Sequence, residues 1–154
     1  MRKDHLWKLG FCIVPLVCAC TTVLQPERQE PLSITIGESI HFMSEDGEDV
    51  TASGGRYIVE QAGPRQLRLL RQPDAEAVRP LVIDAVPINL GEPVSQSVVL
   101  HLLWKEEEHH LILLSRSGDG LEAIGSTSGI RARGSTPAPL PRSVLREALA
   151  TLGK

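Results

Sequence analysis

Apolar and polar residues alternate with a period of two along most of the chain between residues 32 and 124. That spacing places successive side chains on opposite faces of half-buried strands. Leu32-Ser33-Ile34-Thr35-Ile36 alternates cleanly and is broken by Gly37; Ser39 to Met43 alternates again, with Ile40 and Phe42 on one face. Ser44 to Asp49 reads as a turn centred on Asp46-Gly47, and Val50 to Ala52 as a short apolar segment. Arg56 to Glu60 and Gln66 to Arg71 predict a hairpin around Ala62-Gly63-Pro64. Tyr57 and Val59 share a face in the first arm, and Leu67 and Leu69 lie opposite Arg68 in the second. Leu81 to Val86 is rich in β-branched residues and predicts a strand buried on both faces. Pro87 to Gln96, with two prolines and Gly91, reads as a long connection.

The strongest pattern lies at Val98 to Ile124. Val98, Leu100, Leu102 and Trp104 share one face of a strand, and Val99, His101 and Leu103 the other; His109 to Leu114 alternates again. A turn at Ser117-Gly118-Asp119-Gly120 leads into Leu121 to Ile124. Gly125 to Pro141 is rich in Gly, Ser, Thr and Pro, and Ile130 to Arg133 is a candidate last edge strand. Only the C-terminus carries a helical period. Leu145, Leu149 and Leu152, with Val144 and Ala148, form one stripe between Pro141 and Gly153, residues suited to a helix start and stop. A helix this short is marginal in water, so its stripe needs a covering surface in the same domain or on a partner. The expected fold is all-β, a small antiparallel sandwich or open barrel with one C-terminal α-helix.

Composition narrows the function. Aromatic residues make up 3% of the chain, too few for the stacking platforms of single-stranded nucleic-acid binding. The net charge is −3, and the first nineteen residues carry Arg2, Lys3 and Lys8 against Asp4, so the remainder stands at −5. Such a balance offers no general attraction to phosphate backbones, and no nucleic-acid partner is expected. The acidic turn at Ser44 to Asp49 lacks the spacing of a calcium loop. No GxSxG, HExxH, GxGxxG or Walker pattern occurs.

Three of the five histidines, His101, His109 and His110, flank the tip of the Val98–Leu114 hairpin beside Glu106, Glu107 and Glu108. With a two- or four-residue loop, His101 and His110 share a face and His109 points away. Imidazoles and carboxylates at that spacing are metal-ligand types, so His101 and His110, completed by Glu108 or Glu106, are the candidate metal ligands. The competing reading is a solvated hairpin tip. No cofactor and no catalytic residue are expected.

All three cysteines, Cys12, Cys18 and Cys20, lie in the first twenty residues. They leave no thiol for a later disulfide, zinc site or nucleophile. MRKDHLWK has a net positive charge, LGFCIVPLV is apolar but short for a membrane span, and small residues follow, in the order of a secretory signal peptide. Val17-Cys18-Ala19-Cys20 resembles the bacterial lipoprotein signal. The resemblance implies cleavage after Ala19 and lipidation of Cys20, with Val17 and Cys18 departing from the commonest pattern. Plain signal-peptidase cleavage at the same bond is the alternative. Thr21 and Thr22 after the cysteine, where such proteins retained at the inner membrane carry Asp, favour the outer membrane.

Residues 42 to 134 are similar to a group of uncharacterised bacterial exported proteins. The similarity is carried by Gly55-Arg56-Tyr57-Ile58-Val59, Leu67-Arg68-Leu69-Leu70, His109-His110-Leu111-Ile112-Leu113-Leu114, and Gly120 to Ser126 with Ser128-Gly129. It implies an exported small β domain and no particular activity. The expected organisation is a signal peptide at 1–19, a lipid-anchored tether at 20–31, a β domain at 32–133, a linker at 134–141 and a helix at 142–152. The expected role is a non-catalytic binding or accessory module of the cell envelope. It would be held to the membrane through Cys20 and able to meet an envelope protein through its helix. The alternatives are a plainly secreted or periplasmic protein, a metal-dependent protein or enzyme built on His101 and His110, and a carrier of a small apolar ligand.

Overall fold

A computed structural model of the chain describes residues 30–73, 78–129 and 138–152. The signal segment, Cys20 and the suggested strand at 130–133 lie outside the described residues. Ten strands and one helix fill the rest: β1 (Ser33–Ile36), β2 (Ile40–Met43), β3 (Asp49–Ala52), β4 (Gly55–Gly63), β5 (Gln66–Gln72), β6 (Leu81–Asp84), β7 (Val86–Asn89), β8 (Val98–Trp104), β9 (Glu108–Leu114), β10 (Asp119–Ser126) and α1 (Arg142–Leu152). The strands form two antiparallel sheets, ordered β1-β4-β5-β6 and β3-β2-β10-β9-β8, and neither closes into a barrel. The architecture is a small β-sandwich with a helix on one side.

The alternating residues meet between the sheets. Ile36, Ile40, Phe42, Ala52, Tyr57, Val59, Leu67, Leu69 and Ile83 are buried there with Leu111, Leu121 and Ala123. In the β4–β5 hairpin Val59 lies opposite Leu69 and Glu60 opposite Arg68, which puts the apolar pair inside and an ion pair of 2.6 Å outside. The chain changes sheets at tight corners. One lies between β3 and β4, where the Tyr57 hydroxyl donates to the Ser53 carbonyl at 2.7 Å. A buried phenol thereby satisfies both its own polar end and the corner's backbone.

The segment Leu81 to Asn89 departs from expectation. Instead of one strand buried on both faces, it is two short strands joined at buried Ala85, the first in one sheet and the second in the other, and Val82 is exposed. Part of the expected connection is β7, which includes Pro87 and pairs with β10 from Glu122↔Val86 to Asp119↔Asn89. Proline has no N–H to give to a ladder and is tolerated at a sheet edge. β7 satisfies that condition, because β10 is its only strand partner among the described residues.

The second sheet is covered on both faces. Odd-numbered residues of β9 and β10, such as Leu111, Leu121 and Ala123, face the first sheet. On the opposite face Leu100, Ile112 and Leu114 pack with Leu90, Leu140 and Leu145, flanked by Trp104, Val144 and Leu149. The apolar stripe of α1 is therefore laid on the protein's own sheet, with only Leu152, at its end, exposed among its large apolar residues. Pro141 opens the helix by offering its carbonyl to the N–H groups of Val144 and Leu145. Outside the packed stripe, Arg146 bonds Glu92 at 2.8 Å and the Leu90 carbonyl at 3.2 Å, which ties α1 to the β7–β8 connection. Among the described residues, no helix is long and apolar enough to cross a membrane.

Candidate functional site: two histidine pairs back to back

The register of the β8–β9 hairpin decides what its histidines can do. Val98 pairs with Leu114, His101 with Leu111, Leu102 with His110, and Trp104 with Glu108. Lys105, Glu106 and Glu107 are thus a three-residue loop, and both Lys105 (φ 52°) and Glu106 (φ 63°) take the left-handed conformation. The odd loop length reverses the expected parity. His101 shares a face with His109, and His110 points to the other layer. The expected His101–His110 pairing is therefore corrected: the sheet itself separates the two rings, and Glu108 accompanies His110 alone.

On the face toward the first sheet, His101 Nε2 and His109 Nδ1 are 2.8 Å apart, with the rings stacked at a centroid distance of 5.1 Å and 22° between planes. His109 is buried, and its Nε2 has no hydrogen-bond partner. The nearest charge is Glu38 Oε1 at 3.6 Å, reaching in from the β1–β2 corner. Burial holds both imidazoles below their ordinary pKa. His109 adds to the lowering at His101, and Glu38 opposes it at both rings. Both rings are thereby biased toward the neutral, ligand-competent form near neutral pH.

On the helix side, His110 Nδ1 donates to Glu122 Oε1 at 2.5 Å, and both side chains are about 1% exposed. The same carboxylate oxygen accepts the Leu140 backbone N–H at 2.9 Å. Glu122 therefore joins β9, β10 and the segment that leads into α1. His110 Nε2 has no hydrogen-bond partner and stands 3.6 Å from Glu108 Oε2. On the same face, His41 of β2 lies two strands away and is held at 3.1 Å by both Asp49 and Thr51. Among the described residues no three histidine, cysteine or carboxylate side chains stand together as a ready metal cage.

Sequence reasoning singled out neither Glu122 nor Glu38. Glu122 was detectable: it is the one charge in Leu121-Glu122-Ala123-Ile124, whose other members are all core residues. A lone carboxylate inside a covered strand requires a buried donor. Glu38 left no such mark, because it sits on a corner and approaches His109 only through the packing of the two sheets. Comparison of the chain with family models, with curated proteins and with solved structures finds no match.

Proposed function

We propose that the protein is an exported, lipid-anchored module of the bacterial cell envelope that acts by binding rather than by catalysis. One observation carries this reading: a basic start, a short apolar run and Val17-Cys18-Ala19-Cys20 follow one another in the order of a lipoprotein signal. Cys20 is the acyl acceptor. The polar, proline-bearing stretch Thr21 to Pro31 is the tether, and the first strand begins two residues later, at Ser33. The resemblance of residues 42–134 to exported bacterial proteins points the same way. The anchored domain faces the periplasm from the outer membrane, the placement that Thr21 and Thr22 favour. An envelope protein partner would meet the outer side of α1 and exposed Leu152, since the helix's apolar stripe is already covered by β8 and β9.

Metabolic labelling with a palmitate analogue in a bacterial host tests the anchor. The wild-type chain is expected to take up label and fractionate with membranes, and Cys20→Ala to lose the label completely and run as the unprocessed precursor. Label persisting on Cys20→Ala, or an unlabelled wild-type chain cleaved after Ala19, would refute Cys20 as the acceptor.

A further inference from the structure

Strand β8 has the length and composition of an interior strand but lies on an edge. Its seven residues, VVLHLLW, include no proline, glycine, acid or fixed cation, and β9 is its only strand partner among the described residues. The other described strands of seven or more residues, β4, β5, β9 and β10, are paired on both sides. The remaining edge strands, β1, β3, β6 and β7, have four residues each and carry Ser, Thr, Asp or Pro. Short, polar or proline-bearing edges are how a sheet avoids pairing with another chain. β8 has none of these devices. Of its six apolar residues only Leu100 is buried, and Leu103 is 58% exposed. We infer that β8 pairs antiparallel with β8 of a second copy, joining two second sheets into one across a twofold axis at His101.

The strand's own symmetry names the occupant. Centred on His101, the pairing gives every residue of β8 a partner: Leu100 faces Leu102, Val99 faces Leu103 and Val98 faces Trp104, each pair formed twice. The charged loop Lys105-Glu106-Glu107 then lies opposite Ser97, Gln96 and Ser95 of the other copy, so no like charges meet. Moving the centre to Leu102 sets Lys105 and Glu106 against Val99 and Val98. Moving it to Leu100 sets Leu103 and Trp104 against Ser97 and Gln96. Partners share parity, so the odd residues of both copies face the first-sheet side and the even ones the helix side. Both apolar layers therefore run on through the join. His101 bonds His109 within its own copy, and burial biases it toward the neutral form, so the axis carries no pair of charges. The backbone N–H and C=O groups of β8 that point away from β9 gain the ladder they lack. The inference does not depend on the lipid anchor.

The test uses the full chain in density-matched detergent, with Cys12, Cys18 and Cys20 replaced by serine, followed by sedimentation equilibrium. The expected result is a monomer–dimer equilibrium, weakened about tenfold by Leu103→Lys, which sets a charge against Val99 twice per dimer. Two single-cysteine chains, Val99→Cys and Leu103→Cys, read the register. Mixed and oxidised, they should join readily. Oxidised separately they should join poorly, since two copies of residue 99 stand about 14 Å apart, beyond the roughly 4.4–6.8 Å Cα separation of a disulfide. A chain with native β8 that stays monomeric at every concentration would overturn the inference. So would a dimer that Leu103→Lys leaves intact, or equal joining in mixed and separate samples. A photoreactive residue in place of Leu103 should couple to a second copy in the bacterial host; coupling to a different polypeptide instead would also overturn it.

Discussion

Replacing Glu122 with alanine is expected to cost about 3–5 kcal/mol of folding stability, the range for removing one partner from a buried charged or charge-assisted pair. The substitution leaves two buried donors, His110 Nδ1–H and the Leu140 N–H, facing a void that the carboxylate occupied. Each unsatisfied donor carries its own desolvation penalty of about 1–3 kcal/mol. The effect should also be directional. Leu140 precedes α1 and packs with Leu90, Leu100, Ile112, Leu114 and Leu145, so losing its bond loosens the helix layer before the two-sheet core. Urea denaturation gives the magnitude. Hydrogen exchange gives the order, with α1 amides losing protection first. Replacing both partners, His110→Leu with Glu122→Leu, should be milder than Glu122→Ala alone, because the His110 donor is no longer orphaned and the void is filled, although the Leu140 N–H still loses its acceptor. A cost below about 1 kcal/mol for Glu122→Ala would mean that the pair does not hold the layers together.

Phe42→Ala is expected to cost a comparable 3–5 kcal/mol, for a different reason: a large ring is deleted from a close-packed interior. Phe42 is 1% exposed and lies between the sheets. Its place depends on Gly125 of β10, where an added Cβ would come within 2.8 Å of the Phe42 ring and 2.5 Å of Ile40. The ring and the missing side chain are two halves of one fit. Gly125→Ala alone should destabilise by overpacking, and its penalty should shrink when Phe42 is alanine, although Ile40 still opposes it. Thermal melts of the four chains measure that coupling, and strictly additive penalties would show that the two positions do not share one space.

Most of the strands were legible because alternation and turn residues agreed. Placing Tyr57 and Val59 on one face with Leu67 and Leu69 needed only a period of two and Gly63-Pro64 between the arms. The C-terminal helix was legible from Leu145, Leu149 and Leu152, and even its need for a covering surface followed from its length. Two features were not. β7 contains Pro87, and proline reads as an interruption unless the strand is known to lie at an edge, a fact of topology rather than of local sequence. The pairing of the histidines turned on the parity of one loop. Lys105-Glu106-Glu107 contains no glycine or asparagine, so nothing advertises two consecutive left-handed residues there; such residues cost roughly 1–2 kcal/mol each. They persist because the strands on either side are held by two covered faces. A one-residue difference in loop length exchanges the faces of every side chain in one arm relative to the other. The same side chains then yield His101–His109 and His110–Glu122 instead of His101–His110. The anchor proposed at Cys20 is the reverse case: its signal is written in local sequence and owes nothing to the fold.

Adjacent residues His109 and His110 serve opposite layers of the protein, each with its own partner. Interstrand nuclear Overhauser effects across the β8–β9 hairpin test it most directly. The register described here predicts backbone contacts pairing Leu102 with His110 and Leu103 with His109, with His101 opposite Leu111. Contacts placing His101 directly opposite His110 would contradict it, and with it both histidine pairs.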